Sequence, residues 1–387
     1  MRVRSPSGTV RETRVLMSRI VFLTPFDPRP SHANKMRAKL GGVERYVRAL
    51  SKELVRLGYS VTVIASAGIN ATFTDDGVEY RLIRRWGVPG GTACFPWPMS
   101  VIRESGDLLH VQATYPLVTE VAPYVAQIRN VPSVVTCHFD VVGRDSREAS
   151  IASAYYLLAG LHGYASYDRV IYTTKGYALA SRSAPVVDDS RVRIIPLGVD
   201  TSVFHVQDDI AKDHSILFVG RLAWFKGVDV LLDAFAAVDG APDWTLRIVG
   251  RGPMTSRVAA EISKRNLRAE ILADVTDDEL SRLYNAASIT LLPSVARQES
   301  FGLTLLESMA CGTPVAASDW PGVRDIAALG GSLVTPRDSS TLASTIRAAI
   351  SREPEAAERH QLSAKIAQSF AWPLIARRTA EVYQELL

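Results

Sequence analysis

Glu299 and Glu307 lie on either side of Gly302 in the stretch RQESFGLTLLESMACGTPVAAS, residues 297–318, and the pattern predicts that they flank the start of a helix, near Phe301 or Gly302. The first amide N–H groups of a helix have no partner within it and carry partial positive charge. Those of Phe301, Gly302 and Leu303 therefore form a seat for a phosphate or another anion. Glu299 then falls just outside the seat and Glu307 about a turn and a half inside it. Two acceptors beside an anion site suit a ligand that joins phosphates to hydroxyl-rich sugars; without their neighbours, the same acids would read as solvated helix charges. Upstream, Arg221 and Lys226 follow the apolar run Ile216 to Val219 and Gly220. An Arg fork grips a phosphate at two points and Lys supplies a mobile point charge, so together they could neutralise a diphosphate leaving group. A basic pair in a loop is otherwise a solvated surface feature.

These residues need strands and helices to hold them. Short apolar runs alternate with helical patterns along the whole chain, in the manner of parallel βα units. In the first half the expected strands are Arg19–Leu23, Ser60–Ile64, Tyr80–Ile83, Leu108–Val111, Ser133–Thr136 and Val170–Tyr172. After a linker over Arg193–Phe204 come Ser215–Val219, Thr245–Val249, Glu270–Leu272, Ile289–Leu292, Pro314–Ala317 and Ser332–Val334. The fold class is α/β, with two doubly wound, Rossmann-like domains whose switch points face one another across a cleft. Thr276-Asp277-Asp278-Glu279 reads as a capping box for a helix to about Ala286.

The two clusters, in this order and at this separation, resemble the nucleotide-sugar site of the retaining glycosyltransferases of family 4, which have the GT-B fold. Further segments carry the likeness, which spans most of the chain from Arg19 to about Leu386. Gly41-Gly42-Val43-Glu44 resembles the glycine-rich loop whose backbone approaches the donor phosphates; Thr136-Cys137-His138-Phe139-Asp140 is similar to the segment whose His contacts the transferred sugar. Ile195 to Asp200 looks like the linker stretch, with Leu197 where Asn is usual, and Phe370 to Leu387 like a last helix that crosses back to the first domain. The resemblance implies an acceptor-binding domain over 18–200, joined by helix 373–387, and a nucleotide-sugar domain over 201–372. It gives Glu299 the hydroxyls of the transferred sugar, Glu307 the ribose, and the backbone near Val275 the edge of the base. The catalytic set would be His138, Arg221, Lys226 and Glu299; the donor would also touch Gly42, Val275, Phe301, Gly302, Leu303 and Glu307. His138 comes from the other domain, so closure of the cleft is required. Departures are Pro321-Gly322 and Asp325, where a glycine pair and a Glu are usual, and Arg251 where an acid is common.

Composition fits an ordinary two-domain enzyme, with 387 residues, 47% hydrophobic and 22% charged. A net charge of +4, from 44 basic and 40 acidic residues, is too balanced to imply nucleic acid as a partner. Cys94, Cys137 and Cys311 are widely spaced, which suggests neither disulfides nor a CxxC metal site and points to a reducing cytoplasm. No segment is long and apolar enough to span a bilayer, and Ile151 to Tyr167 reads as a buried helix. Residues 1–17 hold four Arg and no apolar core; they read as a disordered or misassigned start, not a secretory signal, with Met17 an equal candidate for initiation.

On the helix predicted over Gly42–Leu57, Val43, Val47, Leu50, Leu54 and Leu57 share one side, and Arg45, Arg48, Lys52 and Arg56 form a basic arc opposite. Such an arc is a solvated face, or it contacts anionic lipid at the inner face of a membrane. No Asp-X-Asp motif stands in a suitable context, and Arg221 with Lys226 can do the neutralising, so no metal or other cofactor is expected. The expected reaction moves a hexose from a UDP- or GDP-linked donor to a hydroxyl of a lipid-linked saccharide, glycan or small molecule. No carboxylate is an obvious nucleophile, which favours front-face attack. A GT-B epimerase or hydrolase acting on the donor alone is the nearest alternative. A nicotinamide oxidoreductase lacks its GxGxxG, and a non-catalytic sugar-nucleotide sensor would not hydrolyse donor. Acceptor contacts are expected on the loops Pro25–Leu40 and Gly87–Met99, with Phe26, Arg29, Trp86, Phe95 and Trp97.

Overall fold

In a computed structural model the chain forms two α/β lobes, each built on its own sheet. The structure describes residues 18–25, 27, 41–67, 69–84, 86–87, 93–94, 106–113, 118–140, 150, 154, 161–238 and 243–387. The start at 1–17 and most of the helix expected over 151–167 lie outside them.

The first sheet comprises β1 (Arg19–Thr24), β2 (Ser60–Ala67), β3 (Ala71–Asp75), β4 (Val78–Arg84), β7 (Leu108–Ala113), β8 (Ser133–Cys137), β9 (Arg169–Tyr172) and β10 (Val192–Ile194), in the order β10-β9-β8-β7-β1-β2-β4-β3; β5 (Trp86–Gly87) and β6 (Ala93–Cys94) form a separate ribbon. All its pairings are parallel except β3 with β4. The second sheet contains β11 (Ser215–Val219), β12 (Thr245–Val249), β13 (Ala269–Leu272), β14 (Ile289–Leu292), β15 (Val315–Ser318) and β16 (Gly331–Val334), ordered β13-β12-β11-β14-β15-β16 and wholly parallel. β11 and β14 are buried at every position, as expected of strands covered on both faces. Renumbered from its own first strand, this is the 3-2-1-4-5-6 order of a doubly wound sheet, and the order reverses between β11 and β14.

The helices that matter for the site are α1 (Gly42–Arg56), α2 (Lys175–Ala180), α3 (Val228–Ala236), α4 (Asp277–Ala286), α5 (Leu303–Ala310), α6 (Val323–Ala327) and α7 (Trp372–Gln384). α1 buries Val43, Tyr46, Val47, Leu50 and Leu54, so its apolar stripe faces the core. The capping box of α4 forms as the sequence predicts, with Thr276 accepting from the Glu279 N–H and Glu279 from the Thr276 N–H.

The chain passes between lobes at two adjacent points: the Val199 N–H donates to the Phe370 carbonyl at 2.8 Å, and Gly198 lies under the Trp372 ring. α7 then packs on α1 in the first lobe, where the Tyr383 hydroxyl meets His110 Nδ1 at 2.6 Å. Two strands of the first sheet, and the short β5–β6 ribbon, escape the sequence reading. β3 is half-exposed and only five residues long, so it carries little apolar signal, and β10 falls inside the stretch read as linker.

Candidate functional site in the cleft between the lobes

The loops after β11 and β14 start side by side, because their strands are neighbours at the order reversal. That crevice is where open α/β sheets take ligands. The first loop carries Arg221, a short 3₁₀ turn over Trp224–Lys226, and Gly227. Gly227 sits in the left-handed region at φ +69°, and a side-chain carbon there would lie 1.9 Å from the Pro293 carbonyl oxygen. The second loop is bound to the first by Val295 N–H donating to the Phe225 carbonyl at 2.8 Å. Between them, Lys226 Nζ makes a close ion pair with Glu299, which also accepts from Ser294 Oγ at 3.4 Å. Arg221 is exposed at the mouth of the same loop.

The helix expected near Phe301 or Gly302 begins at Leu303, with Gly302 as its N-cap at φ +85° and no side chain capping it. Glu307 is one turn in, buried at 4% exposure. Its Oε2 accepts from the Tyr284 hydroxyl at 3.0 Å, and its Oε1 from Arg45 Nη1 at 3.3 Å. Val275 and Phe301 are buried nearby in the same core, and Leu303 packs against it.

The first lobe closes over this surface. A side-chain carbon at Gly42 would meet Leu303 Cδ1 at 3.4 Å, so α1 and α5 start face to face, each capped by a glycine and neither by a side chain. Glu44 is drawn back toward the Gly41 amide end of α1. Burial raises its carboxyl above the ordinary range, against the lowering effects of backbone hydrogen bonds and the Arg221 charge. His138 is buried, its Nε2 donating to Gln112 Oε1 at 2.7 Å, which leaves Nδ1 as the acceptor. Burial pushes its pKa down to about 3. Its carbonyl accepts a close hydrogen bond from Ser300 Oγ, directly beside Glu299. At the far end the Gly176 N–H of α2 donates to Asp325 Oδ2 at 2.7 Å, and Arg297 Nη2 to the Ala180 carbonyl at 3.0 Å. Asp325, the departure noted in sequence, thus ties α6 to the opposite lobe.

Of the residues expected at the donor site, Gly42 and His138 lie on the first lobe, Arg221, Lys226, Glu299, Gly302, Leu303 and Glu307 on the second, and Val275 and Phe301 in the buried core. One expectation is corrected. Arg45, Arg48, Lys52 and Arg56 do not form an open cationic face: Arg45 crosses the cleft to Glu307 and Asp277, Arg48 pairs with Asp75 at 3.2 Å, Lys52 with Asp76 at 2.9 Å, and Arg56 with Glu53 at 2.6 Å. A helical wheel ranks sides of one helix and cannot see that the first turn of α1 ends against another lobe. Of the acceptor-side residues, Phe26, Arg29, Phe95 and Trp97 lie outside the described residues, and only the backbone of Trp86 is described. Among the described residues no group of His, Cys, Asp or Glu is gathered to hold a metal ion, and no helix is long and apolar enough to cross a membrane. Missing from the sequence reading were Arg45 and Tyr284 as partners of the buried acid, and Asp277 as the second partner of Arg45; only Tyr284, on the apolar side of a capped helix, left a signal there.

Two doubly wound lobes that meet along the carboxyl ends of their strands, with the linker and last helix crossing side by side, define the GT-B architecture. Known proteins agree. A family model described as glycosyl transferases group 1 matches residues 203–368, and one for glycosyltransferase family 4 matches 40–203. The chain belongs to the family 4 glycosyltransferases. Among its relatives are a D-inositol 3-phosphate glycosyltransferase of Thermobispora bispora, 33% identical over 51% of each chain. A glycogen synthase of Mycobacterium tuberculosis is 31% identical over 69% of this chain and 66% of its own. The chain thus spans about half the length of the first of these relatives, while a longer alignment, with a Frankia alni D-inositol 3-phosphate glycosyltransferase, is 29% identical over 90% of this chain and 95% of the relative. Solved structures with the same fold include a sucrose-phosphate synthase from Thermosynechococcus elongatus, with TM-score 0.74, 22% identity and coverage of 95% and 99%. Another is the Anabaena protein HepE in complex with UDP, with TM-score 0.71, 20% identity and coverage of 95% and 100%.

Proposed function

We propose that this chain is a retaining glycosyltransferase that moves a hexose from a UDP- or GDP-linked donor to an acceptor hydroxyl, without a metal. The observation that carries this reading is the juxtaposition of Lys226 and Glu299 where the strand order reverses, with Arg221 on the same loop. When the bond from sugar to diphosphate breaks, negative charge grows on the leaving oxygens. Arg221, Lys226 and the amides at the start of α5 would donate to those oxygens, the more strongly once the closed cleft has expelled water. With Lys226 drawn to phosphate, Glu299 is released to accept from sugar hydroxyls. Glu307 would take the ribose, and the backbone near Val275 the base. His138, neutral at any physiological pH, would offer Nδ1 to a sugar hydroxyl from the opposite lobe. Retention would follow from front-face attack assisted by the departing phosphate, since Glu299 would be taken up by the sugar hydroxyls and Glu307 by the ribose. Acceptors with a lipid-linked saccharide, a glycan end or a small molecule remain within the proposal, as does a site of action in the cytoplasm. Peripheral membrane attachment would have to use a surface other than the paired Arg45, Arg48, Lys52 and Arg56.

The test is a thermal-shift screen of UDP- and GDP-sugars, followed by acceptor trials with the donor that stabilises most. The anomeric configuration of the product should match the donor, chelator should leave the rate unchanged, and Lys226→Ala should lower turnover on the order of 100-fold. Donor consumed equally fast with and without acceptor would instead establish the epimerase or hydrolase, and inversion or a chelator-sensitive rate would overturn the mechanism.

A further inference from the structure

The group that stands on Glu307 belongs to the other lobe. Arg45 donates from Nη1 to Glu307 Oε1 at 3.3 Å and from Nη2 to Asp277 Oδ1 at 2.9 Å. The two acids differ in setting: the Glu307 side chain is 6% exposed, the Asp277 side chain 48%. Asp277 opens α4, where the helix N-terminus also favours its charge. A buried carboxylate is costly without a cation, and Arg45 supplies one to Glu307 across the cleft. A ribose diol offers Glu307 the same thing that Arg45 offers, hydrogen-bond donors, so the two compete for one acceptor.

We propose that Arg45 is a positioning residue of the donor site: it holds the Glu307 carboxylate while the site is empty and passes wholly to Asp277 when the ribose of a nucleoside diphosphate arrives. The transfer keeps the Arg45 charge paired, because Asp277 already holds one of its nitrogens by the shorter bond, and the ribose hydroxyls take the place of Arg45 as donors to Glu307. Arg45 therefore subtracts from donor affinity, and Asp277 limits the subtraction. This rests on the assignment of the ribose to Glu307, and the experiment separates the two.

UDP and GDP are titrated calorimetrically into the full chain, and the tighter is carried forward with its 2′-deoxy counterpart. Arg45→Gln should bind the diphosphate more tightly, on the order of fivefold, the upper end for a partly exposed ion pair, and should discriminate more strongly against the deoxy form. Asp277→Asn should bind more weakly by a similar factor, and only while Arg45 is present; the double variant should match Arg45→Gln. Arg45→Lys, which keeps a cation over Glu307, should stay near wild type and guards against a misfolded glutamine variant. Unchanged or weaker binding by Arg45→Gln, or an Asp277→Asn effect that survives in the double variant, overturns the role of Arg45 alone. Should neither diphosphate bind, or should ribose and deoxyribose forms bind equally in every variant, the ribose assignment falls and Arg45 with it.

Discussion

Glu307 is the residue whose neighbours say most about its task. One oxygen faces Tyr284 and the other Arg45, and the side chain is nearly closed off from water. Glu307→Gln keeps the shape and an acceptor oxygen but loses the charge that strengthens each hydrogen bond. If ribose binds there, affinity for the nucleoside diphosphate should fall by about tenfold, whereas Tyr284→Phe, which removes a bond the ribose does not use, should cost less. Isothermal titration of both variants decides; equal losses, or none in Glu307→Gln, would remove ribose from this acid. Arg221 and Lys226 were legible in sequence because each adjoins a glycine in the loop after an apolar run, and Glu299 and Glu307 because they bracket the glycine at which a helix starts. Arg45 was legible only as a charge. Its role depends on where the first turn of α1 points, and that is set by how the lobes pack, which no local pattern encodes.

At the scale of elements, the loops hold the site because glycines let them pass where no side chain fits. The strands were readable because buried parallel strands are mostly apolar, and β11, β12 and β14 match their expected bounds. The hairpin between β3 and β4 was missed although Asp76 and Gly77 both adopt positive φ, at 50° and 78°, the geometry an Asp-Gly turn favours. The covered face of β3 holds only Ala71 and Phe73 as apolar residues, too little signal to notice. Gly227 tests the loop argument. Alanine there would need an unfavourable φ and would drive a carbon into the Pro293 carbonyl, so the β11 and β14 loops must move apart. Gly227→Ala should lose roughly 1–3 kcal/mol of stability in chemical denaturation. Turnover should fall further than stability accounts for, because Lys226 next to it would leave Glu299. A variant with an unchanged midpoint would show that the loop has slack the structure does not suggest.

For the whole molecule, a buried polar chain ties the last helix to the cleft. The Tyr383 hydroxyl meets His110 Nδ1, and His110 Nε2 meets Thr136 Oγ1 at 2.7 Å. The Tyr46 hydroxyl lies 3.3 Å from Thr136 Oγ1, and its ring stands edge-on to His138 at 4.9 Å. Burial pushes His110 down to about 3, with the His138 charge a lesser cause, and burial does the same to His138. In the unfolded chain each imidazole protonates near its ordinary value of about 6.5. Between those values the unfolded state binds more protons, so stability rises with pH there and is lost as pH falls below about 6.5. Glu44 and Asp140 act in the opposite sense, since burial raises both carboxyls and the folded state takes up their protons first. Comparing the wild type with His110→Gln cancels those acids and isolates one imidazole. On going from about pH 7.5 to about pH 5.5 in urea unfolding, the wild type should lose about 1.4 kcal/mol more than the variant. Equal losses would mean that His110 takes up its proton as easily folded as unfolded, and that the joint between the last helix and the first lobe is open to water.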